Sequence, residues 1–133
     1  MLIINSNVFF DAEDPDSPAH EWAISTLRSN AGAMGINPII YAELLQGQPS
    51  ETLDSALAMM DVHRLDLPWS SCAVAATAFK RFLTRSSVKG ERRRAMPLPD
   101  FFIGAHAEVT GFPVATSDKS RFKTYFPNVR LIE

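Results

Sequence analysis

Short apolar runs alternate with longer stretches of helical periodicity along the whole chain, and this alternation constrains the fold more than any other feature. The first run, Leu2–Ile4, is apolar throughout and rich in branched side chains, the composition of a strand buried on both faces. Residues 33–36, 62–67, 113–116 and 129–132 are further strand candidates. Between them the spacing predicts helices over residues 20–29, 38–45, 50–60, 70–84 and 100–109, with a short one ending at Tyr125. Strands separated by helices pair in parallel, because a parallel neighbour needs a crossover. The expected fold is therefore α/β: three layers, α/β/α, with a central mainly parallel sheet flanked by helices. With 133 residues and no composition break or linker, one domain over residues 1–133 is expected.

Local punctuation supports the boundaries. Asn37 precedes Pro38 as N-cap and first helical residue. Ser17 or Pro18 is expected to open the 20–29 helix, and Ser117 or Asp118 to cap the one ending at Tyr125. Asn5-Ser6-Asn7 supplies turn and cap chemistry after the first strand. A single cysteine, Cys72, excludes an internal disulfide framework and fits a reducing compartment. No basic leader or run of about 18 apolar residues is present, so a cytoplasmic protein with no membrane association is expected.

The net charge of −2 does not mark a nucleic-acid binder by total, but the charges are segregated. Asp11, Glu13, Asp14, Asp16 and Glu21 crowd one stretch, and Lys80, Arg81, Arg85, Lys89 and Arg92–Arg94 another. Such separation can steer an anionic partner to one face.

In open parallel sheets, ligands bind beyond the carboxyl ends of the strands. Asn5 ends the first strand and Asp118 follows the fourth, so both belong to that rim. Glu43 stands between Ala42 and Leu44, one turn after Ile39 and Ile40, and Asp100 opens the most apolar helix. Buried carboxylates are costly unless paired or bound to a cation, and hard divalent cations take carboxylate oxygens. Each acid also has a plainer reading. Asp100 and Asp118 fit helix caps, Glu43 a solvent-facing helix position, Asn5 a turn, and the acids of 11–16 a solvated loop, with Asp11 the one of these that could reach the rim. His20, His63 and His106 have no ligand spacing; His106 reads as a packed or hydrogen-bonded core residue. Cys72 has no evident activating base.

Four blocks together resemble the PIN-domain family. Asn5-Ser6-Asn7-Val8 followed by Phe10-Asp11 is similar to its opening Asp-Thr/Ser-Asn-Val motif. The stretch from Asn37 to Leu44 resembles the helix carrying its glutamate, and that from Leu98 to Ala107 its Asp-x-x-Ile-x-x-x-Ala helix. Ala115-Thr116-Ser117-Asp118 with Phe122 is similar to its Thr-x-Asp-x-x-x-Phe motif. The blocks stand in the family's order across nearly the whole chain, and small size points to the VapC-type toxins of toxin–antitoxin pairs.

That resemblance implies an endoribonuclease dependent on Mg²⁺ or Mn²⁺, with Asn5, Glu43, Asp100 and Asp118 at its catalytic and metal positions. It implies RNA as substrate, a cognate antitoxin and a homodimer. The departure is Asn5, where the family has Asp: an amide oxygen can coordinate but brings no charge. Weak or absent activity, restored by Asn5→Asp, is the expectation, whether Asn5 is a natural degeneration or a change that silences the site. Lys89, Arg92, Arg93 and Arg94, with Lys80, Arg81 and Arg85, are expected to contact RNA backbone; a solvated loop is the alternative. Two other functions compete. One is a non-catalytic PIN-like module that binds RNA or protein, favoured by Asn5. The other is a receiver-type phosphotransfer domain, opposed by the lack of paired acids after the first strand.

Overall fold

The computed structural model describes residues 1–85 and 98–132. Five strands form one all-parallel sheet: β1 (Leu2–Ile4), β2 (Met34–Ile36), β3 (Val62–Arg64), β4 (Val114–Ala115) and β5 (Leu131–Ile132). Their order is β3-β2-β1-β4-β5. The helices of the described residues are α1 (Ser6–Glu13), α2 (His20–Ser29), α3 (Pro38–Leu44), α4 (Ser50–Met59), α5 (Ser70–Arg85), α6 (Leu98–Thr110) and α7 (Ser120–Tyr125). Every residue of β1, β2 and β4 is buried. Since successive strand side chains point to opposite faces, both faces of the central sheet are covered, and the three-layer α/β/α arrangement follows.

β1 is the middle strand. Ile3 is in register with Gly35 on one side and Val114 on the other. Gly35 has a packing reason: a Cβ there would lie 2.6 Å from Leu65 Cδ1, so only glycine lets the Leu65 side chain cross β2. The edge strands β3 and β5 are less buried, and β3 exposes His63 and Arg64, a polar edge that discourages pairing with another sheet.

The chain moves outward from β1 to β2 to β3, then returns past β1 to start β4. The direction of winding therefore reverses between β1 and β4, and a crevice opens there beyond their carboxyl ends. Three helices are tied together beside it by aromatic packing. The Phe101 ring lies 5.3 Å from Phe79, 5.4 Å from Phe82 and 5.5 Å from Tyr125, centroid to centroid. This cluster welds α5, α6 and α7 into one unit, with about 0.5–1.5 kcal/mol per aromatic pair beyond area burial.

Several boundaries differ from the sequence expectation. Residues 6–13, with no expected helix beyond the cap chemistry of Asn5-Ser6-Asn7, form α1, entered directly from β1. Asp11 and Glu13 thus lie on a helix rather than in a loop. The cap of α2 is Ala19, without a side-chain bond; Ser17 instead accepts the Ala19 N–H in a local turn. α6 starts at Leu98, before Asp100, and α7 starts at Ser120 with Lys119 as its cap. The basic stretch bearing Lys89, Arg92, Arg93 and Arg94 lies outside the described residues.

Candidate functional site

Asn5 leaves β1 in extended conformation and caps α1, its Oδ1 accepting the Ser6 N–H at 2.8 Å. Its Nδ2 donates to Thr116 Oγ1 at 3.2 Å, just past β4. Asn5 is only 3% exposed, so both ends of the amide are committed inside the protein. Asn7 joins the same knot: its Nδ2 donates to Thr116 Oγ1 at 3.0 Å, and its Oδ1 accepts the Ser117 N–H at 3.3 Å. Thr116 also accepts the Asp118 N–H at 3.2 Å. These bonds lock the end of β1 to the turn after β4, at the reversal of strand order.

Glu43 arrives from α3. It is half-buried, and its Oε1 accepts from the Ser6 hydroxyl at 3.1 Å. Burial raises its pKa above the usual carboxylate value; the Ser6 hydrogen bond opposes this and the negative charge of Asp100 adds to it. Asp100 lies in the first turn of α6, and burial raises its pKa too. The Arg121 guanidinium lowers it and Asp118 raises it. Glu43, Asp100 and Asp118 therefore form a run of like charges along one rim, each neighbouring the next.

Each acid is also held by a partner. Arg121 Nη1 donates to Asp100 Oδ2 at 2.6 Å, with the two side chains 26% and 22% exposed. The Ser120 hydroxyl donates to Asp118 Oδ1 at 3.1 Å. Held this way, the acids do not converge: among the described residues no three His, Cys, Asp or Glu side chains sit together closely enough to hold a metal ion. The donor chemistry still suits a hard cation, since Asn5, Glu43, Asp100 and Asp118 offer only oxygen. The raised pKa values of Glu43 and Asp100 come chiefly from burial, with the neighbouring acid a smaller contribution in each case.

The helix-cap readings of Asp100 and Asp118 do not hold, although Asp100 stands in the first turn of α6, where the helix dipole favours an acid. Neither occupies a cap position, because α6 begins two residues before Asp100 and α7 two residues after Asp118. Glu43 is not solvent-facing, and Asn5 is a helix cap within the rim network rather than a free turn residue. Asp11 reaches the rim indirectly: its Oδ2 accepts from the Ser117 hydroxyl at 2.6 Å and its Oδ1 from Ser17 at 2.9 Å. It clasps α1 to the turn that carries Asp118. His106 is a core residue as expected, 1% exposed, with Nδ1 3.1 Å from Asn37 Nδ2; burial lowers its pKa. Arg121, Ser6 and Asn7 contribute to the site without having been singled out from the sequence. Ser6 and Asn7 had a signal, as part of the opening motif; Arg121 had none.

No family model and no curated protein sequence matches the chain. Solved structures match over nearly its full length. VapBC2 from Rickettsia felis, bound to a DNA fragment from its promoter, gives a TM-score of 0.69 at 18% identity, covering 98% of this chain and 96% of that one. FitAcB from Neisseria gonorrhoeae gives 0.68 at 18% identity over 100% and 97%. Mycobacterium tuberculosis VapC20, a toxin that cleaves the sarcin–ricin loop, gives 0.65 at 11% identity over 98% and 99%. At these identities the likeness establishes the fold: the chain has the three-layer PIN-like architecture of these toxin proteins.

Proposed function

We propose that this chain is a VapC-type endoribonuclease whose activity depends on Mg²⁺ or Mn²⁺ and is weakened by Asn5. One observation supports the reading: Asn5, Glu43, Asp100 and Asp118, far apart in sequence, lie along one rim where the strand order reverses, though without converging, on a fold shared with VapC20. No helix among the described residues is long and apolar enough to cross a membrane. Asn5, Glu43, Asp100 and Asp118 would hold the cation, which when bound supplies positive charge to the phosphodiester and acidifies a water.

The protein's own groups divide the remaining work. The knot of Asn5, Asn7 and Thr116 fixes the separation between the ends of β1 and β4. Ser6 orients the Glu43 carboxylate through its hydroxyl. Glu43 and Asp100, raised by burial, are poised to accept a proton more readily than ordinary surface carboxylates. Arg121, paired with Asp100, would be free to oppose charge developing on a phosphoryl group once Asp100 is engaged elsewhere.

Asn5 weakens this centre for a simple reason: it replaces one of four negative charges by a dipole. Loss of outer groups around a metal commonly costs about 10–100-fold in affinity or activity, and loss of a ligand charge should cost at least as much. Asp fits the same place. Its carboxylate can accept one hydrogen bond from the Ser6 N–H and one from the Thr116 hydroxyl, which would turn to it from the Asp118 carbonyl. A cognate antitoxin, a homodimer and a cytoplasmic location belong to the same proposal; co-purification with the product of the adjacent open reading frame tests the first. A non-catalytic module that grips RNA or protein is the second reading, favoured by Asn5 and by the Arg121–Asp100 pair.

The deciding experiment is cleavage of structured RNA in Mn²⁺ or Mg²⁺ by the chain, by Asn5→Asp, and by Asn5→Asp with Asp100→Asn. Asn5→Asp should cleave at least about tenfold faster than the parent chain, and lose activity with a chelator or with Asp100→Asn. Cleavage no faster than that of the doubly substituted control would leave the non-catalytic module as the better reading.

A further inference from the structure

Away from the acidic rim, α5 and α7 enclose a concave surface of about 430 Å³ lined by Lys80, Arg81, Thr84, Arg85, Thr124 and Tyr125. Residues 80, 81, 84 and 85 recur at helical spacing and so lie on one face of α5. Three cationic and three hydroxyl-bearing residues line the concavity, and none of its described lining residues is acidic. In a chain of net charge −2 that concentration of positive charge is a local feature, with the acids of 11–21 gathered on α1, the following loop and the start of α2.

The concavity is built rather than incidental. Arg81 Nη2 donates to the Tyr125 carbonyl at 3.2 Å, pinning α5 to the last residue of α7. The Phe82 and Tyr125 rings meet edge to face, with centroids 5.5 Å apart, beneath it. It is linked to the rim through α7. Arg121 precedes Tyr125 by one turn of α7, about 5.4 Å; its guanidinium lies over the Phe82 ring at 5.6 Å while donating to Asp100. A polyanion leaving the acidic centre along Arg121 would enter the groove between Lys80, Arg85 and Thr124.

We infer that this α5–α7 groove binds the phosphodiester backbone of single-stranded RNA next to the segment held at the acidic rim. The inference rests on the nuclease reading for the choice of RNA over another polyanion. Lys80 and Arg85 supply the charge and Arg81 holds the walls together, while the Thr84 and Thr124 hydroxyls donate to the Lys80 and Ser120 carbonyls of their own helices.

The test uses Lys80→Gln with Arg85→Gln in the full chain, leaving Arg81 in place because it anchors α7. Both side chains are exposed, so the fold should be unaffected, and a thermal melt checks this. Binding of a labelled oligouridine is measured in chelator across 50–200 mM salt. For two phosphate contacts the slope of log K against log salt should fall by about 1.4, so the parent loses about sevenfold more affinity than the variant over that range. Arg28→Gln, on α2, should leave the slope unchanged. An unchanged slope in the double variant overturns the groove, as does an absence of salt-dependent binding by the parent. Polyglutamate competing as well as unlabelled RNA would overturn RNA as its occupant. Cleavage by Asn5→Asp is scored separately: if it cleaves while the groove variant binds normally, only the groove falls. If it does not cleave while the groove variant loses affinity, the groove stands and the nuclease reading falls.

Discussion

Gly104→Ala is a small substitution with a large expected effect. Gly104 lies one turn after Asp100 on α6, and a Cβ built there would stand 2.8 Å from Phe126 Cγ, with two further ring carbons closer still. Cγ is the root of the ring, so rotating the ring cannot relieve the clash; the backbone of Phe126 or the axis of α6 must move. Phe126 is 2% exposed and its ring is 6.0 Å from Phe101 and 6.4 Å from Phe122, so it has nowhere to retreat. Overpacking of this kind costs about 1–3 kcal/mol, and the upper part of that range applies because the contact is with a hemmed-in ring. Alanine recovers about 1 kcal/mol of helix propensity over glycine. The net loss is about 1–2 kcal/mol, or roughly 4–8 °C in Tm for a chain of this size. Because α6 carries Asp100, the same shift should lengthen the Arg121–Asp100 contact. Differential scanning calorimetry checks the stability, with Glu108→Ala, exposed on the same helix, as a control expected within about 0.5 kcal/mol of the parent. A Tm for Gly104→Ala equal to or above the parent's would refute the reasoning, because it would mean that α6 does not press on Phe126.

Other substitutions probe the charges. Arg121→Gln removes the cation that pairs with Asp100, so Mn²⁺ should bind about two- to fivefold more tightly, the equivalent of roughly 0.5–1 kcal/mol for a partly exposed pair; calorimetric titration reads it, and weaker binding would mean Arg121 does not compete for Asp100. His106 has a lowered pKa from burial, so its neutral form is favoured in the fold. Its contribution to stability is complete above the unfolded value of about 6.5 and is lost as pH falls from there through the folded value. Glu43 and Asp100, with raised values, act in the opposite sense: stability declines as pH rises from their unfolded values through the folded ones. The difference in Tm between the parent and His106→Gln isolates the histidine, and it should shrink between pH 7 and pH 5 in chelator. A difference that stays constant or widens on acidification would contradict the assignment.

The acidic rim could be read from sequence because two rules converge on it. Strand ends in parallel sheets collect functional groups, and Asn5 and Asp118 follow apolar runs short enough to be strands. Glu43 was visible for a different reason, as an acid set among apolar neighbours in a helix. What the sequence could not reveal was the pairing of side chains across the fold. Arg121 reads as an ordinary basic residue of a short helix until α7 folds against α6 and brings it to Asp100. α1 was hidden because Asn5-Ser6-Asn7 has turn composition and Phe9-Phe10 breaks an amphipathic pattern; the helix forms because Asn5 caps it and Val8 and Phe9 are buried against the core. The cap readings of Asp100 and Asp118 failed because helix starts shift by a residue or two with tertiary packing, and Leu98-Pro99 and Lys119-Ser120 took those starts instead. Asp11 shows how far local reading reaches: its charge was evident, whereas its bonds to Ser17 and Ser117 depend on where the turn after β4 arrives.

The proposal that Asn5, Glu43, Asp100 and Asp118 form one cation site is tested most directly by titrating Mn²⁺ into three proteins without RNA. These are the parent chain, Asn5→Asp, and Asn5→Asp with Asp100→Asn. One site should be strengthened at least about tenfold by Asn5→Asp and lost again with Asp100→Asn. Identical isotherms for all three proteins would contradict the proposal, since a carboxylate added beside the other acids would then have no cation to share with them.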